Sequence, residues 1–254
     1  MTQGPIVTDF LARSDGEQIA VCHIKGSAPG VLFLPGFNSD MRGTKSQALA
    51  AWCQQRGIAF TALDYSGHGE SSGELKHGSM GRWLDDAVAV LDDVCEGPQL
   101  VVGSSMGGWL MLLLALARPK RVSGLVGIAA APDFTQRLFE QRLSADQRAS
   151  LGQTGYCELP NHYDDGVPHT IGRQLIEEGR EHLLLGGSIN YTGPVRLLHG
   201  QQDEDVPWQL SVEVAQRLQS RDVELILVKD GDHRLSSGKG IARLTAVVGS
   251  MLGV

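Results

Sequence analysis

The stretch Gly103-Ser104-Ser105-Met106-Gly107-Gly108 decides how this chain folds. Before it lies Leu100-Val101-Val102, whose apolar, β-branched character is typical of a buried parallel strand. After it, residues 109–117 are apolar on every side, which is typical of a buried helix. A serine between glycines at such a turn matches a nucleophile elbow, in which the hydroxyl stands exposed at a helix N-terminus. The sequence therefore predicts Ser105 as a nucleophile, although the short pattern by itself also fits an inert glycine-rich turn.

Strands and helices alternate on both sides of this turn. The pattern predicts strands at 30–34, 58–63, 195–198 and 223–228 and helices at 44–55, 80–95, 208–218 and 241–252. Such alternation is typical of a doubly wound, mostly parallel α/β sheet with helices on both faces. From Pro132 to about Thr192 it stops, and pieces such as 134–143, 144–151 and 171–185 predict a helical cap. We expect one α/β domain over residues 1–254, with a cap insertion at about 132–192.

Candidate partners for Ser105 follow two later predicted strands. Asp203 comes after one strand and His233 after the next, and the carboxyl ends of parallel strands share one edge of the sheet. The chain order of serine, aspartate and histidine is the order of nucleophile, acid and base on this type of fold. Asp205 is the main rival for the acid, because it lies only two residues further on. We prefer Asp203, since Asp205 directly precedes Val206-Pro207, where a helix is expected to begin.

The chemistry of the three groups assigns a role to each. A serine hydroxyl is a weak nucleophile at neutral pH, so a general base must take its proton. His233 suits that duty and can return the proton to the leaving group, while Asp203 would orient the imidazole. The oxyanion hole would use the backbone N–H of Met106 and that of Phe37, in the loop after strand 30–34. We also expect Phe37, Leu138 and Phe139 to line the substrate pocket.

Composition and motifs exclude several classes of function. The chain of 254 residues carries a net charge of -7, which disfavours nucleic acid as a partner, and it has no apolar run long enough to span a membrane. It shows no metal-binding signature, P-loop or dinucleotide motif, so we expect no metal and no cofactor. The scattered Cys22, Cys53, Cys95 and Cys157 are typical of reduced core thiols. The first nine residues resemble neither a signal peptide nor a transit peptide, which predicts a cytoplasmic location.

Taken together, the chain resembles the α/β-hydrolase fold family over about residues 18–253. The segments that carry the resemblance are the elbow, Asp64-Tyr65-Ser66-Gly67-His68-Gly69-Glu70-Ser71, His199-Gly200-x-x-Asp203-x-x-Val206-Pro207 and Asp232-His233. The resemblance implies Ser105, Asp203 and His233 as a catalytic triad. It also implies hydrolysis of a carboxylic ester or thioester, with a small-molecule or acylated substrate, through an acyl-enzyme.

A closer resemblance rests on Gly36-x-x-Ser39-x-Met41-x-Gly43-Thr44-Lys45, Asp64-Tyr65-Ser66-Gly67, Gly103-Ser104-Ser105-Met106-Gly107-Gly108-Trp109-Leu110-Met111, Arg196-Leu197-Leu198-His199-Gly200 and Val206-Pro207-Trp208. In these segments the chain is similar to one mitochondrial branch of that family, whose enzymes are palmitoyl-protein thioesterases and acyl-glucuronide esterases. A mitochondrial leader is not evident, which favours a bacterial or cytosolic relative. Two alternatives stay open: a general carboxylesterase of small metabolites, and a catalytically silent binding protein on the same fold.

Overall fold

The computed structural model describes residues 7–160 and 168–254 and is built around one large β-sheet. Its strands are β1 (Asp9–Ala12), β2 (Gln18–Ile24), β3 (Ser27–Leu34), β4 (Ile58–Leu63), β5 (Gln99–Ser104), β6 (Val122–Ile128), β7 (Tyr156–Leu159), β8 (His169–Gly172), β9 (Val195–Gly200) and β10 (Val223–Val228). Eight of them form a sheet in the order β1-β2-β4-β3-β5-β6-β9-β10. The pairs β1–β2 and β2–β4 are antiparallel, and the other pairs of that sheet are parallel. The predicted mostly parallel sheet is confirmed.

Helices cover both faces of this sheet. They are α1 (Thr44–Arg56), α2 (Met80–Asp93), α3 (Met106–Ala117), α4 (Ala145–Thr154), α5 (Arg173–Gly179), α6 (Gln209–Arg217) and α7 (Gly238–Leu252). Leu32 and Leu34 pack into the apolar cluster that contains α2 and α3, whereas Val31 and Phe33 pack into the cluster of α1 and α7. Successive side chains of a strand point to opposite faces, so a strand buried on both faces must be apolar at every position.

The insertion between β6 and β9 differs from the predicted helical cap. It contains a π-helix (Thr135–Glu140), α4, α5 and a 3-10 turn (Arg180–His182), but also the antiparallel pair β7–β8. The predicted helix over 171–185 is therefore wrong at both ends, because Ile171 lies in β8 and pairs with Cys157 of β7, and the 3-10 turn after α5 ends at His182. A strand pairing between separate segments leaves no local periodic signal, and for that reason the sequence pattern missed it.

Polar contacts join the insertion to itself and to the body. The buried carboxylate of Asp133 accepts the N–H groups of Leu184 (2.8 Å) and Leu185 (2.9 Å), which links the two ends of the insertion. Arg137 forms a bidentate ion pair with Glu213 of α6, in which Nη1 lies 2.7 Å from Oε2 and Nη2 lies 3.0 Å from Oε1. The first contact closes the insertion on itself, and the second holds it against α6 of the body.

The predicted state of the cysteines agrees with the structure. Cys22, Cys53, Cys95 and Cys157 are buried and unpaired, and burial raises the pKa of Cys22 to about 11 and of Cys53 to about 12. Across residues 7–160 and 168–254, no helix has both the length and the apolar character needed to cross a bilayer.

Candidate active site

The backbone of Ser105 is strained and held from three sides. Its φ of 55° and ψ of -117° lie in a region that residues other than glycine rarely adopt. The N–H of Ser105 donates to the carbonyl of Ile128 (2.9 Å), and its own carbonyl accepts from Gly108 (2.9 Å) and Ala131 (3.0 Å). β5 ends at Ser104 and α3 begins at Met106, so the serine occupies a one-residue turn at the N-terminus of α3.

Ser105, His233 and Asp203 form a chain of hydrogen bonds across three loops. The Nε2 atom of His233 lies 3.1 Å from Oγ of Ser105, and its Nδ1 atom lies 2.7 Å from Oδ2 of Asp203. The Asp203 carboxylate can only accept, so Nδ1 carries the hydrogen and Nε2 is left to accept from the serine hydroxyl. The Asp203 side chain is fully buried and that of His233 is 15% exposed, so solvent reaches the side chain of His233 and not that of Asp203.

Asp203 is surrounded by donors. Its Oδ1 accepts the N–H groups of Asp205 (2.9 Å) and Val206 (2.8 Å), and its Oδ2 accepts from His233 and from Nε2 of His199 (3.0 Å). Burial by itself raises the pKa of this carboxyl group, but the hydrogen bonds from His199 and His233 outweigh burial and hold its pKa well below its usual range. Asp205, the rival acid, contributes its backbone N–H to the arrangement.

This cluster has the spacing of a metal site but the bonding of a hydrogen-bond network. One ligand atom from each of Asp203, Asp205 and His233 lies within 4.8 Å of the others, a grouping found nowhere else among the described residues. Both oxygens of Asp203 already accept two hydrogen bonds each, and Nδ1 of His233 carries a hydrogen toward Oδ2. None of these three atoms keeps a lone pair for a cation.

The predicted oxyanion donors lie on two segments beside Ser105. Met106 is the first residue of α3, where backbone N–H groups have no partner within the helix. A Cβ atom added to Gly36 would lie 3.4 Å from Cβ of Ser105, so the loop that carries Phe37 approaches Ser105 closely. The next N–H, that of Asn38, donates instead to Nε2 of His68 (3.1 Å).

Aromatic rings surround Phe37, one of the predicted pocket residues. Its ring centroid lies about 6 Å from four others, at 6.0, 5.9, 6.2 and 5.9 Å from His68, Trp83, Phe134 and His169. Phe134 belongs to the insertion, so this ring cluster joins the insertion to the loop beside Ser105. The other two predicted pocket residues, Leu138 and Phe139, lie in the π-helix, and their side chains lie outside the described part of the chain.

Three residues near the array were missed by the sequence reasoning. His199 contacts Asp203 and His68 contacts the Phe37 loop, and neither histidine was among the predicted site residues. Nζ of Lys45 donates to the carbonyl of Arg234 (2.8 Å), the residue after His233, and burial lowers the pKa of Lys45 to about 8. Only the resemblance segments, which contain all three residues, gave a signal for them.

Comparisons with known proteins agree with this geometry. Residues 28–153 match the family model described as serine aminopeptidase, S33. The mouse protein named palmitoyl-protein thioesterase ABHD10, mitochondrial, is 42% identical over 243 residues, which are 96% of this chain and 82% of that protein. The solved structure of α/β hydrolase domain-containing protein 10 from mouse matches with a TM-score of 0.88 and 41% identity, covering 97% of this chain and 98% of that one. The solved structure of a putative hydrolase from Agrobacterium vitis S4 matches with a TM-score of 0.92 and 38% identity, covering 98% of this chain and 99% of that one.

The predicted cytoplasmic location is contradicted by these comparisons. The mammalian relatives that match 96% of the chain are named mitochondrial proteins and not cytoplasmic ones. The prediction relied on the composition of the first nine residues. Targeting segments are removed from mature proteins, so the composition of a folded chain need not record its compartment.

Proposed function

The chain belongs to the ABHD10 family of α/β hydrolases, and on that premise we propose that it works through a covalent acyl-enzyme on Ser105. The chain is an enzyme that hydrolyses ester or thioester bonds. One observation carries the proposed mechanism: an unbroken hydrogen-bonded path of 3.1 and 2.7 Å from Oγ of Ser105 through His233 to a buried, anionic Asp203.

In the first half of the proposed reaction, Nε2 of His233 takes the hydroxyl proton as Oγ of Ser105 attacks the acyl carbonyl carbon. The N–H groups of Met106 and Phe37 stabilise the tetrahedral oxyanion that forms. When this intermediate collapses, the bond from the acyl carbon to the leaving sulfur or oxygen breaks. His233 then gives its proton to the leaving thiolate or alkoxide, and the acyl group remains on Ser105.

In the second half, His233 removes a proton from water as the water oxygen attacks the acyl-enzyme. The bond between the acyl carbon and Oγ of Ser105 breaks, His233 returns the proton to Oγ, and a free carboxylic acid leaves. Asp203 stabilises the imidazolium that forms in both halves. Its depressed pKa keeps it ionised throughout the pH range in which His233 can act.

The substrate we propose is a thioester of an apolar acyl group, such as an S-acylated protein or peptide. The mouse relative is named a palmitoyl-protein thioesterase, and the ring cluster around Phe37 and Phe134 supplies apolar surface beside Ser105. We propose further that residues 132–192 act as a cap on a single domain. The ion pair between Arg137 and Glu213 holds that cap over the strand ends.

Ser105→Ala tests this function. We expect the variant to lose roughly 10⁴-fold or more of kcat on p-nitrophenyl esters and S-acyl thioesters, and to lose labelling by a fluorophosphonate probe, with its fold unchanged. The matched control is Ser188→Ala. Ser188 is exposed, and its hydroxyl makes a long hydrogen bond of 3.4 Å to the carbonyl of Arg217, so its removal should cost little. It should keep parental turnover and labelling.

Other results would select the alternatives. Turnover of esters without thioesters would indicate a general carboxylesterase, and cleavage of N-terminal amide bonds would agree with the description of the matching family model. A parent enzyme that neither reacts with the probe nor turns over any ester would indicate a silent binding protein. Parental turnover by Ser105→Ala would refute the mechanism.

A further inference from the structure

Two histidines, not one, bond to Oδ2 of Asp203, and we propose that the second, His199, is a positioning residue that tunes how strongly Asp203 holds His233. The Oδ2 atom lies 2.7 Å from Nδ1 of His233 and 3.0 Å from Nε2 of His199. His199 does not contact Ser105 directly, so its influence must pass through the carboxylate. The proposal rests on the proposed function of Ser105, Asp203 and His233.

The surroundings of His199 fix which of its ring nitrogens carries the hydrogen. The side chain is fully buried near the end of β9. Its Nε2 faces two acceptors, Oδ2 of Asp203 and the carbonyl of Val206, each at 3.0 Å. Neither atom can donate, so Nε2 must carry the hydrogen. Nδ1 lies 2.7 Å from Oγ of Ser211 in α6, so the second ring nitrogen is also held in a hydrogen bond.

The second histidine changes the charge that His233 experiences. With His199 present, all four lone-pair positions of Asp203 accept hydrogen bonds, and the negative charge is shared among four donors. Without His199, more of that charge acts on His233, and the carboxylate also loses one constraint on its rotation. The imidazolium of His233 would then persist to higher pH, where it cannot accept the proton of Ser105.

The other charged groups around Ser105, His233 and Asp203 are unchanged when His199 is substituted. Asp205 lies on the Asp203 loop, Asp232 and Arg234 flank His233, and Lys45 reaches the same loop from α1. Ser211 of α6, which bonds to Nδ1 of His199, and Leu227 of β10, which pairs with His199 in the sheet, carry no charge. A change that follows substitution of His199 alone therefore reports its bond to Asp203.

The test compares two amides of different reach. In His199→Gln the side-chain nitrogen can occupy the position of Nε2 and still donate to Asp203, whereas the shorter side chain of His199→Asn reaches only the position of Nδ1. We expect the acidic midpoint of the kcat/KM pH profile to rise by about one unit in His199→Asn, with kcat lowered by roughly tenfold and KM within about twofold. His199→Gln should stay close to the parent in all three values.

Two further variants keep the test decisive. Val214→Ala removes buried volume from α6 and should lower the unfolding temperature without moving the midpoint, as a purely structural defect would. If His199→Asn does not fold, His199→Phe combined with Ser211→Ala removes the donor and leaves no buried hydroxyl without a partner. The proposal would be overturned if His199→Asn, or the double variant in its place, kept the parental acidic midpoint of the kcat/KM pH profile. It would also be overturned if His199→Gln shifted that midpoint as far as His199→Asn does. Retained turnover in Ser105→Ala would instead overturn the proposed function, so the two failures are distinguishable.

Discussion

At the scale of single residues, His68 shows how burial selects a protonation state. The side chain is 4% exposed, its Nε2 accepts the N–H of Asn38 (3.1 Å), and its Nδ1 faces the carbonyl of Ser66 (3.4 Å). Burial lowers the pKa of His68 to about 4, and the bond to Ser66 opposes that change only in part. A neutral ring is the form that can accept from Asn38, so burial maintains the loop that places Phe37 beside Ser105.

Stability should therefore depend on pH through His68. In the unfolded chain its pKa returns to ~6.5, so the unfolded state binds more protons than the folded state between pH ~6.5 and about 4. The stabilisation that comes from keeping His68 neutral is fully present above pH ~6.5. As the pH falls toward 4, the free energy of unfolding decreases by about 3 kcal/mol in total. Denaturant unfolding at a series of pH values should show this loss in the parent and a weaker loss in His68→Gln.

The matched control for His68 is another histidine of the same region. His77 is exposed, so His77→Gln should keep the parental dependence of unfolding free energy on pH. A slope in His68→Gln as steep as that of the parent would show that other groups cause the acid sensitivity.

At the scale of elements, close packing of backbone segments forms the elbow. A Cβ atom added to Gly107 would lie 2.1 Å from the carbonyl oxygen of Leu34 in β3. One added to Gly103 would lie 2.3 Å from the carbonyl oxygen of Gly107, across the turn itself. Such distances are far below any van der Waals contact, so α3 can approach β3 and β5 this closely only because both positions lack a side chain.

Two glycine substitutions should have opposite effects on stability. Gly107→Ala should lower the free energy of unfolding by about 3 kcal/mol or more, because the obstacle is backbone that cannot move aside. Gly152→Ala should raise it by roughly 0.5–1 kcal/mol, because Gly152 lies within α4 and an added Cβ meets nothing within 4 Å. Chemical denaturation of both variants measures the difference, and a gain in stability in Gly107→Ala like that of Gly152→Ala would mean that helix propensity and not backbone contact governs the elbow.

At the scale of the whole molecule, the insertion contacts the body at several separate places. Nε1 of Trp109, in α3, donates to the carbonyl of His182 (3.1 Å), and the carboxylate of Glu178 accepts the N–H of Gly81 at the start of α2. Phe134 packs between Trp109 and Phe37, with ring centroids 5.6 and 6.2 Å apart. The insertion thus brings an aromatic wall to the loop beside Ser105, which supports a role in recognising the acyl group.

Phe134→Ala should therefore widen the acyl site. Each additional buried CH₂ contributes about 0.8 kcal/mol, so the kcat/KM ratio of dodecanoyl to butanoyl thioesters should rise several-fold over that of the parent. Leu151→Ala is the matched control, because Leu151 is also a buried residue of the insertion but lies in α4. It should lower stability and keep the parental chain-length profile. An unchanged profile in Phe134→Ala would remove this wall from substrate recognition.

Local features of the chain were enough to predict much of the molecule. The strands at 58–63 and 223–228 have the predicted bounds, and Ser105 lies at the predicted strand-to-helix turn. Each of these features depends on neighbours a few residues away: apolar periodicity, the glycines of the elbow and the apolar run that follows it. Because such interactions act along the chain, they are present in the sequence itself.

Contacts between distant segments decided the rest. Asp203 and Asp205 are nearly equivalent in the sequence, and only the meeting of the loops after β9 and β10 places Oδ2 of Asp203 against His233. The pairing of β7 with β8 and the bond from His199 to Asp203 likewise join groups whose partners the local pattern does not specify. The sequence by itself determined the sheet and the turn that carries Ser105, because their signals are local. Only the tertiary structure decided which carboxylate bonds to His233 and which second histidine bonds to that carboxylate, because a hydrogen bond depends on distance in space.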